Sequence, residues 1–214
     1  MADSRRESAG RSAVPPPQHN LEDAAAQALI RVCRQPPQQL EWLGARRASQ
    51  HWVVPVLDDL LSVELDGGTV RTSAGRPTAA AWRILTLHYL AVAERPSPQA
   101  PAVSFADLPA GRAYAPVYRR RVIERLCRTV GRDGRALRAA AEALGGRAAP
   151  EGDAAFDFRV YPRVRLRLVW YGGDQELEPS AVLLLPANIE SFFCPEDIVV
   201  LSERLVSRWG GGRF

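Results

Sequence analysis

Alternation of apolar and polar residues is clearest in two stretches of the chain. Over residues 61–70, Leu61, Val63 and Leu65 fall on one side and Ser62 and Glu64 on the other, the period of a half-buried strand. Asp66-Gly67-Gly68 supplies the positive φ of a tight turn, and Val70 returns on the apolar side. This predicts a β-hairpin within His51–Thr72. In the second stretch, Phe156, Phe158 and Val160 alternate with Asp157 and Arg159. Beyond Pro162, Val164, Leu166, Leu168 and Trp170 alternate with Arg163, Arg165 and Arg167. Gly172-Gly173-Asp174 reads as the next turn, and the apolar run Ala181–Leu185 as a buried strand.

Elsewhere the period is helical. Leu21, Ala25, Ala28, Leu29 and Val32 form a stripe after a candidate cap at Asn20, and Pro36-Pro37 stops it. A short helical turn carries Leu40 and Leu43 up to Gly44. Pro77 is placed to open a helix over Thr78–Glu94, so apolar around its girth that it belongs at the centre. Pro116 marks another start, with Tyr118, Val122, Leu126 and Val130 four apart. Arg135–Leu144 is a short helix stopped by Gly145-Gly146. Pro195, Glu196 and Asp197 open the last helix, their acids at its positive end, and Ile198, Leu201, Leu205 and Trp209 form its packing face.

Segregated strands and helices predict an α+β fold with a mainly antiparallel sheet, made of N- and C-terminal hairpins around a central buried helix. The expected organisation is a disordered tail over residues 1–20, one globular domain over 21–209, and a flexible tail over 210–214.

Composition adds little. All 28 basic residues are Arg, against 24 acidic ones, for a net charge of +4. So mild an excess makes nucleic acid an unlikely partner. Three dispersed cysteines, Cys33, Cys127 and Cys194, have neither metal spacing nor a disulfide pattern and fit a reducing, cytoplasmic setting. No apolar run approaches a membrane span.

An ordered set of landmarks runs from residue 85 onward: Leu87-His88-Tyr89-Leu90; Val103-Ser104-Phe105-Ala106-Asp107-Leu108-Pro109; Tyr114-Ala115-Pro116-Val117-Tyr118-Arg119-Arg120-Arg121; Leu144-Gly145-Gly146. It continues through Gly152-Asp153-Ala154-Ala155-Phe156-Asp157-Phe158, Tyr161-Pro162-Arg163-Val164, Gly173-Asp174-Gln175-Glu176 and Pro195-Glu196-Asp197. With these the chain resembles, over roughly residues 40–209, a bacterial and archaeal family known as a domain of unknown function. The resemblance supports one ordinary domain. It implies an added cysteine-rich, iron–sulfur-like segment in some relatives, and this chain has no such cluster.

Candidate chemistry is sparse. Arg163 stands at the hairpin mouth, and a guanidinium forks onto carboxylate or phosphate; its simpler reading is an ion pair with Asp174 or Glu176. Arg165 and Arg167 are expected at the surface, paired to Asp157 or Glu176. Arg163, Tyr114, Tyr118, Asp174, Glu176 and His88 are the ligand-binding candidates, with no catalytic or metal residue assigned and no cofactor indicated. The leading reading is an accessory module that holds an anionic small molecule or a partner protein through Arg163 and the Tyr114–Tyr118 region. One alternative is a small hydrolase or transferase pairing His88 with Asp174 or Glu176. The other is a nucleic-acid binder using Arg121, Arg125, Arg128 and Arg132 at helical spacing. Cys194 at a helix start is a minor nucleophile candidate.

Overall fold

The computed structural model describes residues 21–97 and 100–214. The expected N-terminal tail and the Asn20 cap lie outside the described residues. Two antiparallel sheets are present. The first has the order β1-β2-β3-β4, from Arg46–Ala48, His51–Val56, Asp59–Glu64 and Thr69–Arg71. The second has the order β5-β9-β8-β7-β6, from Ala102–Val103, Ser180–Pro186, Val164–Tyr171, Ala154–Tyr161 and Arg147–Ala149. The helices are α1 Leu21–Cys33, α2 Pro37–Trp42, α3 Ala80–Leu90, α4 Gly111–Tyr118, α5 Glu124–Arg128, α6 Gly134–Ala143 and α7 Pro195–Trp209. The protein has the α+β fold its patterning predicts.

The alternating stretches form the strands. Leu61, Val63 and Val70 are buried in the first sheet, and Gly67 and Gly68 take positive φ between β3 and β4. In the second sheet, Phe156, Phe158, Val160, Val164, Leu166, Leu168 and Trp170 face inward. One continuous set of buried residues runs from α1 through both sheets to the last residue. Helix α3 lies inside it: Trp82, Leu87, Tyr89 and Leu90 have no exposed surface. The sheets meet where the Leu57 amide donates to the Val160 carbonyl at 3.1 Å.

Four expectations are corrected. The central helix starts at Ala80, because Thr78 is held extended by amide and hydroxyl bonds to the Val70 carbonyl. Pro116 lies inside α4 rather than at a helix start, and the helix continues as one π turn over Arg119–Ile123 before α5. A proline has no amide hydrogen, so Pro116 forgoes one i→i−4 bond inside α4. Strand β9 is half-buried, not buried: Ala181, Leu183 and Leu185 face in, and Val182 is exposed. The final residues do not trail away. Phe214 is buried, stacks on Trp82 with centroids 4.9 Å apart, and lies 4.4 Å under the Arg208 guanidinium.

Candidate functional site: a cationic cleft on the five-stranded sheet

Strand alternation sets Asp157 and Arg159 of β7, and Arg165 and Arg167 of β8, on the outward face. The register places Arg167 opposite Asp157, and Arg165 opposite Arg159. Arg167 is fully engaged. Its Nε and Nη2 fork onto Asp157 at 2.7 and 2.8 Å, and its Nη1 meets Glu151 at 2.5 Å. These carboxylates, Asp157 foremost, hold its pKa above the ordinary arginine range. The Arg159–Arg165 pair is different: among the described residues no carboxylate lies within ion-pair distance of either. Like charges directly opposite on neighbouring strands are destabilising.

Arg163 begins this row and is fixed from beneath. Buried Tyr89 donates its hydroxyl to the Leu43 carbonyl at 2.5 Å and accepts the Arg163 amide at 3.2 Å. Burial pushes the Tyr89 phenol well above its usual range, so it stays a donor. Pro162 seats on Gly44, which has φ +88° and where a Cβ would fall 2.4 Å from the proline ring. The Arg163 side chain then turns over the end of α2. Its Nε donates to the Trp42 carbonyl at 2.7 Å and its guanidinium lies 4.8 Å from the Trp42 ring centroid. The two Nη groups of Arg163 take no protein partner among the described residues.

Arg163, Arg165 and Arg167 line one cavity of about 380 Å³, closed by Leu184, Pro186 and Asn188. Asn188 ties its wall to the Ser97 carbonyl at 2.7 Å. Three guanidiniums and one carboxylate, Asp157, line this space. With Arg167 matched by Asp157, the charge of Arg163 and Arg165 is uncompensated.

The other sequence candidates lie elsewhere. Asp174 and Glu176 follow the far end of β8, an eight-residue strand, so about 26 Å of extended chain separates them from Arg163. The ion pair anticipated between Arg163 and these acids does not form. Asp174 is a turn residue: its Oδ1 accepts the amides of Glu176 and Leu177, both at 2.8 Å, which lowers its pKa. Tyr118 is buried, stacked 4.1 Å from Phe105, with its hydroxyl on Ser202 Oγ at 3.0 Å. It borders a separate groove along β9. Tyr114 packs half-buried against the core and lines neither cavity.

His88 meets neither Asp174 nor Glu176. Its Nδ1 lies 2.7 Å from Asp197 Oδ2, and both side chains are largely buried. The His88 pairing with Asp174 or Glu176 that the hydrolase reading invoked is not made, and proton transfer between them needs hydrogen-bond reach. Asp197, read from the sequence as a helix-end charge, is instead the buried partner that joins α7 to α3. Cys194 at the start of α7 is pushed up to about 11, first by burial and then by the Asp197 charge. The nucleophilic reading required the opposite shift. Among the described residues no group of three or more His, Cys, Asp or Glu side chains is placed to hold a metal ion.

The Arg121 face does not form a free basic stripe. Arg121 forks onto Glu203 with two bonds of 2.8 Å and reaches Glu196 at 3.0 Å, tying the π turn to α7. Arg128 pairs with Glu124 at 3.1 Å.

A family model described as a domain of unknown function, DUF3786, matches residues 35–208. The chain belongs to this family. No curated protein and no solved structure matches it. The landmarks that carry the likeness now have physical roles. Tyr89 of the Leu87–Leu90 landmark holds the Pro162-Arg163 turn. Ser104 and Asp107 close a capping box. Gly145 takes positive φ, and the amides of Gly145 and Gly146 return to Glu142 and Ala141, closing α6 as a Schellman motif. Among the described residues no helix is long and apolar enough to cross a membrane.

Proposed function

We propose that this protein is a non-catalytic binding module that takes the carboxylate or phosphate group of an anionic small molecule in the Arg163–Arg165 cleft. The observation that carries this reading is a cavity sized for a small ligand, lined by a fixed Arg163 and by Arg165, whose cross-strand neighbour is the like-charged Arg159. An anion there converts a repulsive cross-strand contact into charge-assisted hydrogen bonds, the stronger class of such bonds. Pre-setting of Arg163 by Tyr89, Gly44 and Trp42 lowers the ordering cost of binding. Cytoplasmic residence accords with the dispersed free cysteines.

Thermal shift and calorimetry with pyrophosphate, citrate and sulfate test this. A hundredfold excess over Kd stabilises the folded state by about 2.7 kcal/mol. Replacing Arg165 by Ala removes hydrogen bonds to a charged group, worth about 1.5–3 kcal/mol, and so weakens binding about 10- to 100-fold. Arg31→Ala, at an exposed position of α1, leaves it unchanged. Equal stabilisation of wild type and Arg165→Ala by all three anions refutes the assignment.

A further inference from the structure

Strand β9 leaves one edge partly open. Strand β5 pairs only with its last two residues, Leu185 and Pro186. The Ala187 amide donates to the Pro101 carbonyl at 2.8 Å within that same register. Antiparallel ladders alternate hydrogen-bonded and non-bonded pairs. The β5-facing backbone groups of β9 are therefore those of the odd-numbered residues, Leu185 and, continuing along the strand, Leu183 and Ala181. On the other side, the Trp170 carbonyl is taken by the Asp153 amide. Trp170 thus directs its backbone away from Ala181, its register partner in β9. Both edges give the same assignment: the N–H and C=O of Ala181 and Leu183 project from the open side of β9, and no hydrogen bond to them is formed among the described residues.

That edge does not face bulk solvent. Residues 180–183 form one side of a groove of about 630 Å³, whose other walls are Phe105, Tyr118, Ile123 and Cys127. Exposed Val182 is part of that side. On the helical wall two guanidiniums, Arg119 and Arg128, share the single Glu124 carboxylate at 3.9 and 3.1 Å, leaving excess positive charge. At the strand end Glu178 has no ion-pair partner among the described residues.

We infer that this groove is a strand-addition site for an extended polypeptide segment of a partner protein. Unpaired ladder groups in strand register are matched by another peptide backbone and by no other common ligand. The charges set the segment's chemistry: apolar residues toward Phe105 and Ile123, an acidic residue toward Arg119 and Arg128, and a basic residue toward Glu178. The twenty N-terminal residues have no apolar alternation of this kind. This site is separate from the Arg163–Arg165 cleft, and either assignment can fail alone.

Amide hydrogen exchange on the full wild-type chain, followed by NMR, reads the edge directly. The amides of Ala181 and Leu183 are expected to exchange at least about tenfold faster than those of Val182 and Leu184, which point into the sheet. Protection of Ala181 and Leu183 in the isolated protein overturns the proposal. If that protection depends on protein concentration the occupant is a second copy; if it is lost on deleting residues 1–20 it is the chain's own N-terminal segment. The binding probes are fluorescein-labelled octapeptides of alternating valine and threonine, with a central glutamate and an arginine at either end. Two further series are N-methylated at alternate residues, one in each register. Strand addition makes one methylated series bind at least about tenfold more weakly than the other, because only one register uses its amides. Equal binding of both series, or no binding by any peptide at about 1 mM, overturns the inference. Ala181→Pro, which removes a groove-facing donor and no donor to β8, is expected to cause a similar loss. Should that variant fail to fold, the wild-type exchange and methylation results stand alone.

Discussion

Removing one buried hydroxyl tests how the fold sets the candidate site. In Tyr89→Phe the ring remains, so its stacking on Tyr161, with centroids 4.4 Å apart, is retained. What disappears is a bond of 2.5 Å to the Leu43 carbonyl and one of 3.2 Å from the Arg163 amide. The carbonyl is buried and is left without that partner, at a cost of about 1–3 kcal/mol. The Arg163 amide is half-exposed and water can reach it, so its share is about 0.5 kcal/mol. Together these give a loss of about 2–3 kcal/mol. With a urea slope of about 2 kcal/mol/M, the unfolding midpoint falls by about 1–1.5 M and the slope is unchanged. Tyr161→Phe is the control. Among the described residues its hydroxyl meets only Thr86 Oγ1 at 3.2 Å, a group that can turn to a backbone carbonyl of its own helix, so the cost is about 1 kcal/mol. A Tyr89→Phe loss under about 0.5 kcal/mol, or one no larger than that of Tyr161→Phe, refutes the claim that Tyr89 anchors the Pro162-Arg163 turn.

Three further outcomes follow from the geometry. Gly44→Ala meets the Pro162 ring at 2.4 Å and a φ of +88°; strain and overpacking together cost about 2–4 kcal/mol in chemical denaturation. Alkylation of Cys194 by iodoacetamide, followed by peptide mass spectrometry, titrates with an apparent pKa of about 11. A raised thiol pKa means the folded state holds its proton where the unfolded state has lost it, so Cys194 contributes stability below the unfolded pKa that is lost as pH rises toward 11; Cys194→Ser flattens that alkaline decline. Arg121→Ala removes a half-exposed fork to Glu203 and a bond to Glu196, and lowers stability by about 1–2 kcal/mol, less in high salt.

Much of the fold was legible because its strands alternate cleanly and its turns carry Gly-Gly or Pro. The Leu61–Val70 hairpin and the Phe156–Trp170 pair are read directly from period two. The short edge strands β1 and β6 were not, because three residues such as Arg147–Ala149 hold no period. Pro116 misled because a proline in a first turn and one mid-helix look alike in sequence. At the site, parity placed Arg165 and Arg167 on the outer face, and Asp157 was one of the two partners, with Glu176, expected for these arginines. The reach of Arg163 was not: its contacts, Trp42 and Tyr89, are 121 and 74 residues away in sequence. Asp197 shows the same limit. Its position at the start of α7 explained it as a helix-end acid, and nothing local indicated His88, 109 residues earlier. The signal that was present lay in the landmarks themselves. Leu87-His88-Tyr89-Leu90, Tyr161-Pro162-Arg163-Val164 and Pro195-Glu196-Asp197 supply residues that meet around α3: Tyr89 with Tyr161 and Arg163, and His88 with Asp197.

The central claim is that Arg163 and Arg165 hold an anion. Calorimetric titration of pyrophosphate into wild type, Arg163→Ala, Arg165→Ala and the double variant tests it most directly. The account predicts one site in the wild type, weakened about 10- to 100-fold in each single variant and undetectable in the double. Retention of wild-type affinity by the double variant contradicts it.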